Sequence, residues 1–108
     1  MASEPRMTLA TQAVLRVFLE DPLKPRYGFE VAREAGIATG SLYPILARLE
    51  QVEWLESAWE EHEAVEPGRP RRRYYQLSSH GAASARLALE HAIRRVTPRS
   101  WRAVTGAA

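Results

Sequence analysis

The 108-residue chain contains no cysteine, which excludes disulfide scaffolds, thiolate metal sites and thiol nucleophiles. No apolar run approaches the roughly 18 residues that a membrane-spanning helix needs, and residues 1–7 are too polar for the core of a signal peptide. A cytoplasmic protein with no membrane association is the expectation. Glycine-rich phosphate loops are also missing, and His62, His80 and His91 stand isolated, with no second ligand at metal spacing. No set of reactive groups converges in the sequence, so neither catalysis nor a bound cofactor or metal is expected. Acidic residues nearly vanish past residue 67, where nine arginines face the single Glu90, whereas residues 1–67 carry six basic against twelve acidic side chains. The overall charge of +2 therefore hides a strongly basic C-terminal part. Such asymmetry points to a polyanionic partner, and arginine suits the task because its planar fork binds phosphate bidentately.

What is present suffices for one small domain. Hydrophobic residues at 45% and charged residues at 26% are the proportions of an ordinary globular chain rather than a disordered one. Residues 39–50 are the stretch around which the rest is organised. Leu42, Ile45, Leu46 and Leu49 fall at i, i+3, i+4 and i+7, which places them on one side of a helix and makes that side core. The opposite surface holds Thr39, Gly40, Ser41, Tyr43, Pro44, Ala47 and Arg48. Proline has no N–H to donate and fits where that N–H would be an orphan, so the N-cap is expected at or near Ser41, with Pro44 in the first turn. A helix start that exposes N–H groups and hydroxyls is a natural phosphate contact.

Before this helix, Thr8 is an N-cap candidate for a first helix whose apolar residues Leu9, Ala13, Val14, Val17 and Phe18 keep helical spacing until Asp21-Pro22 stops it. Residues 23–26 form a connector. Residues 27–35 make a short second helix closed by Gly36, and residues 36–40 turn into the organising helix. Two short helices joined by a tight glycine-containing turn form a helix-turn-helix, whose second helix enters the DNA major groove; helical hairpins with no nucleic-acid role share the pattern. Residues 54–60 then alternate, with Leu55, Ser57 and Trp59 on one side and Trp54, Glu56 and Ala58 on the other, and residues 73–77 alternate with Tyr75 and Leu77 sharing a face. Pro67-Gly68 marks the turn between them. The expected hairpin carries Arg69, Arg71, Arg72 and Arg73 on its descending edge and Glu60, Glu61, Glu63 and Glu66 on the other side, carboxylates that either pair with the arginines or splay into water with little energetic weight.

Ser78 is a good N-cap for a long alanine-rich helix that Thr97-Pro98 ends. Ala82, Ala85, Leu89, Ala92 and Val96 repeat at alternating spacings of three and four, with Leu87 and Ile93 beside them. That seam is expected to pair two copies of the chain; the alternative is packing against the chain's own first helix. The expected fold is mostly α, an α+β winged helix with a three-helix core, a two-stranded wing and a long C-terminal helix. The expected divisions are a flexible arm at 1–7, a DNA-binding domain at 8–78, a dimerisation helix at 79–97 and a tail at 98–108.

Together the residues Tyr27-Gly-Phe-Glu, Gly40-Ser-Leu-Tyr-Pro, Arg48-Leu-Glu, Gly68-Arg-Pro-Arg-Arg-Arg-Tyr-Tyr and Leu77-Ser-Ser-His-Gly resemble, in order and spacing, the PadR family of bacterial transcriptional regulators, in its short form with one C-terminal helix. The resemblance covers roughly residues 8–96. It implies a homodimeric winged-helix repressor on a pseudo-palindromic operator, often released by a small-molecule effector. It places Ser41 and Tyr43 against double-stranded DNA and the Arg69 to Arg73 run on the wing; with Thr39, Gly40, Pro44 and Arg48 these are the expected DNA contacts. The expected dimer contacts are Ala82, Ala85, Leu89, Ala92, Ile93 and Val96. The chain departs from the family pattern at Glu53, where glycine usually follows the recognition helix; a left-handed helix end suits glycine, so a glutamate must strain there or end the helix differently. Some relatives hold flat aromatic ligands between aromatic side chains at the dimer interface, which makes Trp101 a candidate, although a packing role is the alternative. The rival functional reading is a winged helix turned to a partner protein, since the organising helix carries Arg48 as its one cation.

Overall fold

A computed structural model describes residues 4–61, 63 and 65–96, with Val96 described through its backbone alone. The chain runs α1 (Leu9–Glu20), β1 (Arg26–Tyr27), α2 (Gly28–Ala35), α3 (Thr39–Gln51), β2 (Leu55–Trp59), β3 (Arg73–Leu77) and α4 (Ser79–Val96). Among the described residues four helices and a small antiparallel sheet make the expected α+β winged helix.

Local chemistry accounts for most boundaries. Thr8 caps α1, its hydroxyl accepting the Thr11 N–H at 3.1 Å. Val14, Leu15, Val17 and Phe18 enter the core from this helix, while Leu9 in the first turn stays 80% exposed, against the expectation that it shares the apolar face. At the start of α2 the Glu30 carboxylate reaches back to accept the Tyr27 N–H at 3.0 Å. Gly36, at φ 73°, ends α2 in the left-handed conformation, and the Ile37 N–H closes on the Ala32 carbonyl at 3.0 Å.

The start of α3 differs from expectation. The helix begins at Thr39 with Ala38 as N-cap, the Ser41 and Leu42 N–H groups both bonding the Ala38 carbonyl at 3.0 and 3.1 Å. Pro44 consequently lies inside the helix, past its first turn. Its missing N–H removes the bond to Gly40, a residue exposed to solvent where water can substitute. Backbone geometry at Ala38 starts the helix without help from a capping side chain, which is why the hydroxyl of Ser41 misled the sequence reading. The expected core stripe is in place, with Leu42, Leu46 and Leu49 fully buried and Ile45 packed against the core.

Glu53 ends α3 at φ 65°, where the resemblance expected glycine. The Trp54 N–H bonds the Leu49 carbonyl and the Glu53 N–H the Glu50 carbonyl, both at 2.9 Å, so the chain adopts the glycine-type helix ending with a glutamate in the strained position. Trp54 and Leu49, joined by this ending, are both buried in the core. A left-handed L residue costs about 1–2 kcal/mol, part of which glycine's larger loss of freedom on folding returns, leaving a net of about 1 kcal/mol. Glu53→Gly is accordingly expected to raise stability by about that amount and the melting temperature by about 4–8 °C. A lower melting temperature in a thermal scan would mean that the Glu53 side chain contributes something its exposure conceals.

The sheet has three strands rather than two, in the order β1-β3-β2. β2 and β3 form the expected hairpin, with Leu55 opposite Leu77 and Trp59 opposite Arg73. Short β1 adds to the other edge of β3, Arg26 facing Tyr75. Two residues carry no readable period, so this strand exists only through its pairing. Arg26, read as a connector residue, is buried and donates to the Glu34 carboxylate at 2.9 Å. β2 leaves the core as it runs: Leu55 is buried and Trp59 is 53% exposed. Trp54, expected within the strand on the side opposite Leu55, precedes it and is buried. Ser78 caps α4 as expected, accepting the Gly81 N–H at 2.9 Å and donating its hydroxyl to the Glu53 carbonyl at 2.8 Å.

Candidate nucleic-acid interface

The solvent side of α3 carries Thr39, Gly40, Ser41, Tyr43, Pro44, Ala47 and Arg48, all exposed, because the opposite side is committed to Leu42, Leu46 and Leu49. Tyr43 is held rather than free. Its ring lies over Gly28 at the start of α2, so closely that a Cβ at Gly28 would stand 2.8 Å from the phenol oxygen. Glycine there lets α2 and the phenol approach each other.

The four wing arginines divide sharply. Glu60, at the end of β2, is buried, and donors converge on its carboxylate: Arg69 at 3.0 and 3.2 Å, the Arg72 backbone N–H at 2.8 Å, the Arg72 Nε at 3.2 Å and the Tyr27 hydroxyl at 3.3 Å. Hydrogen bonds from Arg69 first and Arg72 second hold the Glu60 pKa down at about 2, outweighing the upward push of burial. The same bond raises the pKa of Arg72. The Arg72 guanidinium also lies 4.0 Å from the centre of the Tyr27 ring. Arg73 binds the other way, to Ser57 at 2.7 Å and to Glu50 at 3.3 Å, tying β2 and β3 to the last turn of α3. Ser57 in turn donates to Glu50 at 2.8 Å. Arg71 is exposed, and among the described residues it alone of the four has neither a hydrogen bond nor an ion pair; its guanidinium lies 5.9 Å from the Trp59 ring.

The expectation that the wing carboxylates are energetically minor fails at Glu60. A buried carboxylate with charge-assisted hydrogen bonds from three residues organises the base of the wing, and removing it would strand two arginines. Glu61, Glu63 and Glu66 are exposed, as a splayed arrangement requires. Composition lists four carboxylates near four arginines without saying which one the hairpin register turns inward, and that is why Glu60 was not singled out. Between α3 and the wing lies a cleft of about 330 Å³ lined by Tyr27, Phe29, Tyr43, Trp59 and Arg71 among others. It joins the helix face to the wing as one surface.

The expected seam on α4 requires correction. Ala85, Leu89 and Ala92 are buried, at 0%, 8% and 4% exposure, within this one chain, where α4 packs on α1 and β3. Ala82 is half-buried against the same core. A heptad spacing looks alike whether the facing helix belongs to the same chain or another, and here α1 takes up the face. The outward apolar residues of α4 are Leu87 and Ile93, 54% and 50% exposed. The Val96 side chain, Trp101, His62 and the tail at 98–108 lie outside the described residues. Among the described residues no helix is long and apolar enough to cross a membrane.

Comparison with known proteins agrees with this fold. The model of the transcriptional regulator PadR-like family matches residues 14–87. Among curated proteins nothing matches. A PadR family transcription regulator from Clostridium difficile R20291 superposes with a TM-score of 0.63 at 21% identity, over 82% of this chain and 94% of that one. A PadR family transcriptional regulator from Eggerthella lenta DSM 2243 gives 0.58 at 26% identity, over 81% and 80%. Reduced AbfR bound to DNA gives 0.61 at 22% identity, over 88% of this chain and 60% of that one. The chain spans 57% and 60% of the length of the first two structures it matches, both AbfR. At identities this low the likeness to AbfR shows a shared fold.

Proposed function

The chain belongs to the PadR-like family of transcriptional regulators, and on that premise we propose that it binds double-stranded DNA sequence-specifically as a homodimer. The observation that carries this reading is the α3 surface: a buried leucine stripe turns Thr39, Ser41, Tyr43 and Arg48 outward beside a wing whose Arg71 is unpaired among the described residues. Ser41, Tyr43 and Arg48 meet base edges or phosphates in the major groove, with Thr39, Gly40 and Pro44 at its floor. Arg71 takes a backbone phosphate. Arg69, Arg72 and Arg73 shape the wing through Glu60 and Glu50 and add positive potential.

Residues 8–78 do the DNA binding in this reading, and residues 79–97 pair two copies through the outward side of α4, where Leu87 and Ile93 are exposed. Two recognition helices then meet successive major grooves of a pseudo-palindromic operator. Occupancy of a promoter by such a dimer represses, and a small-molecule effector releases it.

The test is fluorescence anisotropy of the purified protein on a labelled duplex from just upstream of its own gene, beside a scrambled duplex, at two salt concentrations. A preference of about a thousandfold or more that weakens as salt rises is the expected result. Weak, equal binding to both duplexes there and at other promoters would sink sequence-specific recognition and favour the partner-protein reading.

A further inference from the structure

The groove-facing helix has two flanks, and the sequence pointed to only one of them. On the Tyr43 side stands the wing. On the Arg48 side the N-terminal arm comes alongside α3, and a cleft of about 230 Å³ opens between them, lined by Arg6, Thr8, Thr11, Pro44 and Arg48 among others. Both arginines are exposed, and among the described residues neither forms an ion pair or hydrogen bond. No carboxylate lines the cleft. This is the reverse of the wing, where three of four arginines are already held by Glu60 and Glu50. The arm is also anchored at this point: Pro5 is buried, and the Met7 carbonyl accepts the Gln12 side-chain N–H at 2.9 Å. The backbone at Arg6 is thereby held between two docked residues, so a ligand there has only the side chain to order. In the first turn of α1 the Thr8 hydroxyl already takes the Thr11 N–H, and the two guanidinium groups are the full charges on offer to an anion.

We propose that Arg6 and Arg48 form a phosphate clamp for the DNA backbone on the flank of α3 opposite the wing. The inference rests on the DNA-binding reading above and adds to it a second, separately placed backbone contact. Geometry supplies the reason. A major groove about 12 Å wide is bordered by two phosphate backbones, so a helix lying in it has one on each side. Ser41, Pro44 and Arg48 follow one another along the same face of α3, and the cleft continues that face onto the arm. The wing therefore holds one strand while the arm, through Arg6, holds the other. An arm that reads as a loose leader in the sequence becomes part of the binding surface.

The experiment titrates wild type, Arg6→Ala and Arg6→Lys onto the preferred duplex and a scrambled one between about 50 and 200 mM salt. Loss of one phosphate contact is expected to make the slope of log affinity against log salt shallower by about 0.9 in Arg6→Ala, which is a difference of about 3- to 4-fold across that range. The preference for the operator should be unchanged, because a phosphate contact carries no sequence information. Arg6→Lys keeps the point charge and should keep the slope. A thermal melt of each variant confirms that the exposed substitution leaves the fold alone. An unchanged slope in Arg6→Ala, with wild-type binding intact, overturns the clamp and leaves the regulator reading standing, as does a loss confined to the operator, which would make Arg6 a reader of bases. Absence of salt-dependent binding in the wild type removes the underlying reading itself.

Discussion

Gly81→Ala is expected to destabilise the fold by about 3 kcal/mol and to lower the melting temperature by about 12–24 °C. Gly81 lies in the first turn of α4, and its φ is not in the left-handed region, so helix propensity alone would have alanine stabilise by about 1 kcal/mol. Space decides the sign. A Cβ at this position would stand 2.6 Å from both the carbonyl carbon and the Cα of Trp54, and closer still to the Trp54 carbonyl oxygen. Neither backbone can easily give way. The Trp54 carbonyl accepts the Ser78 N–H at 3.0 Å, and the Trp54 N–H is bound to Leu49 at 2.9 Å in the ending of α3. Relief therefore requires α4 to lift from the Trp54 backbone, exposing part of the Ala85, Ala88 and Leu89 contact. Urea or thermal unfolding measures it; a variant as stable as wild type would show that α4 docks with slack at this contact.

The second large effect concerns binding. Arg48→Glu combined with Arg71→Glu is expected to weaken DNA binding about 100-fold or more, on operator and scrambled duplexes alike, while the melting temperature stays near wild type. Both side chains are exposed, and neither has an ion-pair partner among the described residues, so folding loses little when they change. Two carboxylates facing phosphates add repulsion to the lost attraction, and each 1.4 kcal/mol of that is a factor of ten. Arg69→Ala provides the contrast. Its guanidinium is already engaged by Glu60 at 3.0 Å, so its removal should show chiefly as a lower melting temperature. If Arg69→Ala impaired DNA binding more than the double reversal does, the division between structural and DNA-facing arginines would be wrong.

That division marks the boundary of what residue order can reveal. The four arginines at 69–73 look equivalent as a run, and the carboxylates at 60–66 look equally ready to pair or not. Folding distinguishes them because the hairpin register turns Glu60 inward against Tyr27, a residue from the far side of the chain. Arg71 is left outward by the same register. The organising helix, by contrast, was legible residue by residue on both faces, apart from its first turn. There Ala38 caps through its backbone, and Pro44 is tolerated inside a helix that a propensity argument would have started later.

By itself the sequence determined the helices α1, α2 and α4 to within a residue at their starts, the leucine stripe of α3, the shared face of Tyr75 and Leu77, the caps at Thr8, Gly36 and Ser78, and a family resemblance that the match over residues 14–87 bears out. Each of these depends on residues a few positions apart, where the geometry of one helix turn or one strand pleat is sufficient cause. Tertiary structure alone decided that β1 exists, that Glu60 holds two arginines, that Ala85, Leu89 and Ala92 face their own chain, that Gly81 packs against the Trp54 backbone, and that Arg6 and Arg48 line one cleft. Those outcomes depend on which distant segments the core brings together, and periodicity along a single element holds no information about what will be packed against it.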